Sequence, residues 1–198
     1  MAKRKSSKFP GVFKPFIRRD PSFARNKQGS TAVEFAIIAP LFLGIMFSMF
    51  EIGWYFYTNS VIDAALDRAG RLLRTGQVQQ SIVTPADQFT FLYDEICDVV
   101  DSFGTCSTRL TLEVQTFNTF ADLAAANDPM VCADSPPDEV AAIPFDAGSE
   151  LQIVRARMCL IYNTINPMIG VNLAEGDQGQ RHLVSTVIFQ NEPYEKGT

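Results

Sequence analysis

"GSTAVEFAIIAPLFLGIMFSMFEIGWYFY", residues 29–57, decides how this chain folds. From Phe35 to Phe50 it holds 16 residues without a formal charge. Glu51 interrupts, and "IGWYFY" follows to Tyr57. Read as one helix, residues 35–57 extend about 34 Å at ~1.5 Å per residue. That suffices to cross a hydrocarbon core of about 30 Å. Trp54, Tyr55 and Tyr57 gather at the far end, as aromatic residues do at a membrane–water interface. Pro40 lacks an amide hydrogen and crowds the carbonyl of Ala36, which predicts a kink or a loosened turn. Glu51 is an intramembrane acid, a functional candidate by default. It is expected either to reach the interface or to pair with a neighbouring chain.

The flanks of this run carry opposite charge. Residues 1–29 have a net charge of +8, and residues 58–198 a net charge of −11. A basic flank before a span puts the N-terminus in the cytoplasm and the acidic body across the membrane. The same flank read as a nucleic-acid arm would need basic residues along a helix face, and Phe9, Phe13, Phe16 and Phe23 with three prolines give no such period. It is expected to be disordered or to lie on anionic headgroups. The apolar run is longer than a secretory h-region, and no A-x-A cleavage pattern follows it. A buried core helix would explain neither the basic flank nor the aromatic end.

Gly29, then Ser30-Thr31-Ala32-Val33, then Glu34-Phe35 at the head of an apolar helix resembles a type IV prepilin processing site. The Glu-Phe pair is similar to the Flp/Tad branch. With Pro40 and the late Glu51–Gly53 step, the pattern resembles the TadE/TadF-like minor pilins, or pseudopilins, over residues 25–76. The resemblance implies cleavage between Gly29 and Ser30 by a membrane-embedded prepilin peptidase. Glycine there lets the backbone approach a catalytic pair closely. Glu34 and Phe35 would then set assembly register, with Glu34 meeting the new ammonium of a neighbouring subunit, since a carboxylate in a low-dielectric site is tolerable when paired. It also implies partners: the peptidase, other Tad pilins, an inner-membrane assembly platform and lipid, with no nucleic acid. The expected organisation is a leader over 1–29, a transmembrane helix over 30–57, an amphipathic continuation over 58–76 and a periplasmic α+β domain over 77–198. The protein would sit in a bacterial inner membrane as a single-pass chain, or enter an extracellular pilus.

Beyond the span the periodicity stays helical. Ile62, Leu66, Ala69 and Leu73 recur at 3–4 spacing, and Gly76 suits a cap. One helix is therefore expected from about Ala32 to Thr75. Thr84-Pro85, with Asp87 three residues after the threonine, signals a second helix start. Phe89, Leu92, Tyr93, Ile96 and Val100 form its stripe, ending near Phe103-Gly104. The period then becomes two. "RLTLEVQTF", "ELQIVRARMCLIY" and "HLVSTVIFQ" read as strands of a small antiparallel sheet packed on helices. Val154, Ala156, Met158 and Leu160 fall on one side of the second, and Arg155, Arg157 and Cys159 on the other. Two long connections, residues 126–149 and 163–180, read as interaction surface or mobile chain.

All four cysteines lie after the span, where an oxidising periplasm permits disulfides. Of three pairings, Cys97–Cys106 and Cys132–Cys159 are favoured. The first would tie the second helix to the following turn, and the second would pin the long loop to a strand. No C-x2-C clustering suggests a metal, and no cofactor is expected. His182 opens a strand with no nucleophile motif beside it, so a structural role is expected and no catalytic residue is assigned. Asp94, Glu95, Asp98 and Asp101 read as a solvated acidic helix face, with calcium the alternative. Two other functions stay open: an uncleaved single-span scaffold with a periplasmic binding domain, and a membrane-anchored periplasmic enzyme.

Overall fold

The computed structural model describes residues 28–82, 84–101, 106–165, 171, 173–175 and 179–194. The basic leader, the end of the second helix near residues 103–104 and parts of the last long connection lie outside them. The fold is α+β: a long N-terminal helix, shorter helices and a three-stranded antiparallel sheet. The chain divides into two compact units, Met1–Phe42 and Leu43–Thr198.

Helix α1 runs over Gln28–Arg74 and continues through Pro40 as one element. It begins four residues before the expected Ala32, so Gly29 and Ser30 are already helical. In the first unit its side chains stand free: Phe35 is 71% exposed and Ile37 72%. Only 6% of an 18-residue apolar stretch of α1 is buried, unlike the mostly buried core helix of a soluble fold. Among the described residues α1 is the one helix long and apolar enough to cross a membrane.

Within the second unit α1 acquires a buried stripe. Glu51, Thr58, Ile62, Ala65, Leu66, Ala69 and Leu73 are buried, with Tyr55 half-buried in the same row. Steps of three and four residues keep such positions on one face. The stripe thus starts about three turns before Ile62, where the apolar periodicity alone placed it. The helix ends at a turn through Gly76, whose φ of 72° is the left-handed conformation glycine adopts without strain. The Tyr194 ring packs so closely there that a Cβ would meet it at 2.4 Å. Helix α2, Gln77–Ser81, follows and buries Val78.

Helix α3 spans Pro85–Val100, and Thr84 caps it by accepting from the Asp87 amide. It buries Leu92, Ile96 and Val100. A short α4, Cys106–Arg109, leads into β1, Leu110–Phe117. Then come α5, Phe120–Ala125, α6, Pro137–Ala141, β2, Ile153–Asn163, and β3, Gln180–Gln190. Helix α6 lies in the connection read as loop.

The sheet order is β1-β2-β3, antiparallel throughout. Its register aligns Leu110 with Leu160 and Leu183, and Val114 with Ala156 and Val187. These near-face side chains share one core with the stripes of α1 and α3. Gly70 marks the close approach of helix to sheet, since a Cβ there would sit 3.2 Å from Val187. Residues Pro144–Asp146 extend β1's outer edge through the Val114 amide and carbonyl.

The far face of β2 is buried too, and here residues 126–132 cover it. Arg155 donates to the Ala126 carbonyl, Arg157 to that of Asp128 and Thr111 to that of Val131. The Cys132–Cys159 disulfide closes the same seam, and Cys97–Cys106 joins α3 to α4. This part of the long connection, read as free surface or mobile chain, is therefore fastened to the sheet. Three carbonyls and a covalent bond hold it.

Candidate functional site

The segment Gly29–Phe35 belongs to the first unit and is exposed throughout. Among the described residues a Cβ on Gly29 would meet nothing within 4 Å. The Gly29–Ser30 bond lies in the first turn of α1, where backbone amides have no partner within the helix. Ser30 and Glu34, one turn apart, come together: the Ser30 hydroxyl donates to Glu34 Oε1 at 3.1 Å. Phe35 and the side chains around Pro40 point outward. A carboxylate, a small residue and exposed apolar surface on one helix end suit contact with a second helix better than chemistry.

Glu51 sits in the second unit in a different environment. Its side chain is buried, 2% exposed. The Tyr162 hydroxyl donates to Oε1 at 3.0 Å, and the Ile165 amide donates to Oε2 at 2.9 Å. Neither of the two roles expected for it, reaching the interface or pairing with a neighbouring chain, describes these partners. Both come from the body of its own chain, 111 and 114 residues later. Tyr55, one turn on, packs edge-on against Tyr162 with centroids 6.0 Å apart, and the Arg181 guanidinium lies 5.2 Å over the Tyr55 ring. Glu51 and Tyr55 on α1 thus hold the end of β2 and Ile165 beyond it. Burial first, then the hydrogen bond and charge of Glu51, push the Tyr162 phenol well above the ordinary tyrosine range.

Glu51 was findable from sequence by phase. It lies four residues before Tyr55 and eleven before Ile62, on the row that becomes the buried stripe. Charge hid it, because a search for apolar periodicity skips a carboxylate.

Replacing Glu51 by leucine leaves a buried hydroxyl and a partly buried amide without their acceptor. The expected loss is about 2–3 kcal/mol. Glu51→Gln keeps one carbonyl oxygen and is expected to lose about 1 kcal/mol. Denaturant unfolding of the full chain in detergent checks both. Equal losses for Leu and Gln would show that the acceptor contributes nothing.

The other candidates are dispersed. His182 Nε2 lies 2.8 Å from Asp134 Oδ2, with both side chains about two-fifths exposed. Among the described residues no hydroxyl or thiol hydrogen-bonds to His182, so no nucleophile is positioned beside it. In the acidic run of α3, Glu95 pairs with Arg68 at 2.9 Å and Asp101 accepts the Cys106 amide at 3.4 Å. No three carboxylate, histidine or cysteine groups gather as metal ligands among the described residues. An apolar groove of about 690 Å³ runs between α3, β1 and residues 140–145, lined by Phe89, Tyr93, Leu112 and Phe145 among others.

Sequence reasoning missed one further group altogether. Glu113, Arg155 and Arg157 are buried together on the far face of the sheet. Arg157 donates through Nε and Nη2 to Glu113 Oε1, at 3.1 and 2.6 Å. Arg155 Nη2 stands 3.7 Å from the same oxygen, and its guanidinium lies over the Phe117 ring. Strand alternation put all three on the polar side, but nothing in that pattern told covered from solvated.

Residues 29–71 match the family model described as TadE-like protein. The match begins at the glycine of the processing pattern and ends inside α1, before the sheet. No curated protein and no solved structure matches the chain.

Proposed function

We propose that this chain, TadE-like over residues 29–71 and so associated with the Tad pilus system, is a minor pilin or pseudopilin that acts by assembly. A prepilin peptidase cuts after Gly29 on the cytoplasmic side, and the basic leader departs. The new ammonium of Ser30 and the carboxylate of Glu34 then lie four residues apart on every subunit. Subunits staggered so that amine meets carboxylate are favoured over other registers, because each charge is otherwise unpaired in a low-dielectric environment. Lipid holds the subunit until neighbouring helices replace it, and the disulfide-bonded body lies on the periplasmic side.

The observation that carries this reading is the pairing of motif and surface. The Gly29-to-Phe35 pattern heads a helix whose apolar side chains, Phe35 through Phe50, are largely exposed. Such a surface requires lipid or other helices. The basic flank and the oxidised cysteines agree with the orientation.

N-terminal sequencing of the membrane-extracted protein tests the cut. A mature chain starting at Ser30, absent in a cell lacking the peptidase, is the expected result. Glu34→Gln is expected to be cleaved normally and to yield far fewer pili. Normal piliation in that variant would count against the register role. A mature chain that retains residue 1 would instead assign the uncleaved single-span scaffold.

A further inference from the structure

The connection between β2 and β3 is acidic-body sequence with the charge removed. Residues 163–174, "NTINPMIGVNLA", contain no charged side chain, although residues 58–198 carry a net −11. Two points along it are tied to α1 by backbone amides. The Ile165 amide donates to Glu51 Oε2, and the Val171 amide donates to Ser48 Oγ at 3.0 Å. Ser48 in turn donates to the Gly44 carbonyl at 2.7 Å, which orients its oxygen.

The side chains at both points face outward. Ile165 is 62% exposed and Val171 45%. Within a turn of their attachment, α1 exposes Ile45, Phe47, Met49, Phe50 and Ile52. Ile165 and Val171 therefore add exposed apolar side chains to those of the helix, and monomeric proteins seldom leave large apolar surface to water. The tied amides matter for the choice of occupant. Irregular backbone approaches hydrocarbon only when its hydrogen-bonding groups are already satisfied. Here a carboxylate and a hydroxyl on the helix satisfy the Ile165 and Val171 amides.

We propose that Ile165 and Val171 form a second membrane contact, entering the outer interfacial layer of the bilayer beside the span and held at that depth by Glu51 and Ser48. This rests on the reading of α1 as a membrane-crossing helix. The occupant is lipid, because these side chains are attached beside exposed apolar residues of that helix and residues 163–174 contain no charged side chain. The body is then fixed in depth and rotation on the membrane. A subunit leaving the bilayer must release this contact as well as its helix.

The test uses the full-length chain, with Trp54→Phe as background, in vesicles of phosphatidylethanolamine and phosphatidylglycerol. Val171→Trp and, separately, Ile165→Trp place the only tryptophan in the loop. Phe42→Trp places it in the apolar run as a control. Loop tryptophans are expected to shift to the blue and to be quenched more by a nitroxide near the lipid headgroup than by one deep in the acyl chain or by aqueous iodide. The Phe42→Trp signal is expected to be quenched most by the deep nitroxide. If iodide quenches both loop positions and the nitroxides do not, while Phe42→Trp is quenched by the deep label, the loop contact is overturned and the span stands. Loop tryptophans shielded from nitroxide and iodide alike would assign a protein neighbour instead and overturn it too. If Phe42→Trp escapes the deep label, the span fails and the proposal fails with it.

Discussion

A Glu113→Ala chain is expected to lose about 3–5 kcal/mol of folding stability, the cost of leaving buried charge uncompensated. Glu113 is the directly opposite cross-strand partner of Arg157 and the nearest anion to Arg155. All three side chains are at most 10% exposed. Burial and the adjacent Arg157 already draw Arg155 below the ordinary arginine range, while Glu113 and Asp128 act in the opposite direction. Removing the carboxylate leaves two cations facing each other under the segment 126–132. Among the described residues the Ala126 and Asp128 carbonyls, Gln115, the Phe117 ring and the Asp128 charge then remain to hold them. Because the cost comes from the stranded cations, a Glu113→Leu chain that also carries Arg157→Met is expected to recover part of it. Denaturant unfolding of the single and double variants measures this. A loss under about 1 kcal/mol for Glu113→Ala, within the range of an exposed pair, would mean that water reaches the cluster.

Converting both Cys132 and Cys159 to alanine is expected to cost about 3–4 kcal/mol, against about 2–3 for the Cys97 and Cys106 pair. The difference follows from loop closure. The first bond spans 27 residues of sequence and the second 9, so the first restricts the unfolded chain more. Position adds to it. Cys132 ends the segment that covers the charge cluster, and Cys159 stands on β2 two residues from Arg157. Without the bond, the Ala126, Asp128 and Val131 carbonyls are left to hold that segment. Limited proteolysis is therefore expected to cut the 126–149 connection faster in this variant and to leave α3 unaffected. Equal destabilisation by the two double variants, with no change in cleavage, would overturn the ranking.

The elements of this fold were legible where one period dominated. Ile62, Leu66, Ala69 and Leu73 carried the helix beyond the apolar run, and the Thr84-Pro85 start matched a cap that accepts the Asp87 amide. The three strands appeared as alternations because β1, β2 and β3 each bury one apolar row. What alternation leaves open is what lies over the other row. Arg155, Arg157 and Cys159 were placed opposite the apolar row, with the long loop expected to reach the strand only through Cys132–Cys159, and tertiary structure brings all of residues 126–132 across them. That contact joins positions about 29 residues apart and has no local signature. Glu51 was visible only as an acid in an apolar run. Its meaning depends on Tyr162 and Ile165, more than a hundred residues on. The pattern from Gly29 to Phe35 was the clearest local signal, since both the motif and the exposed apolar helix are continuous in sequence.

The stripe that begins at Glu51 changes what counts as a separable piece of this molecule. Cutting the chain after its aromatic cluster, at residue 58, would look like a clean way to obtain a water-soluble head. Such a fragment would discard the acceptor of the Tyr162 hydroxyl and the ring that Tyr162 packs against. It would begin partway along its own packing row. The natural place to trim is instead near residue 43, where the second compact unit begins. A fragment trimmed there retains the packing row from Glu51 to Leu73 but carries Phe47, Phe50 and Phe56 exposed, so detergent is part of its formulation.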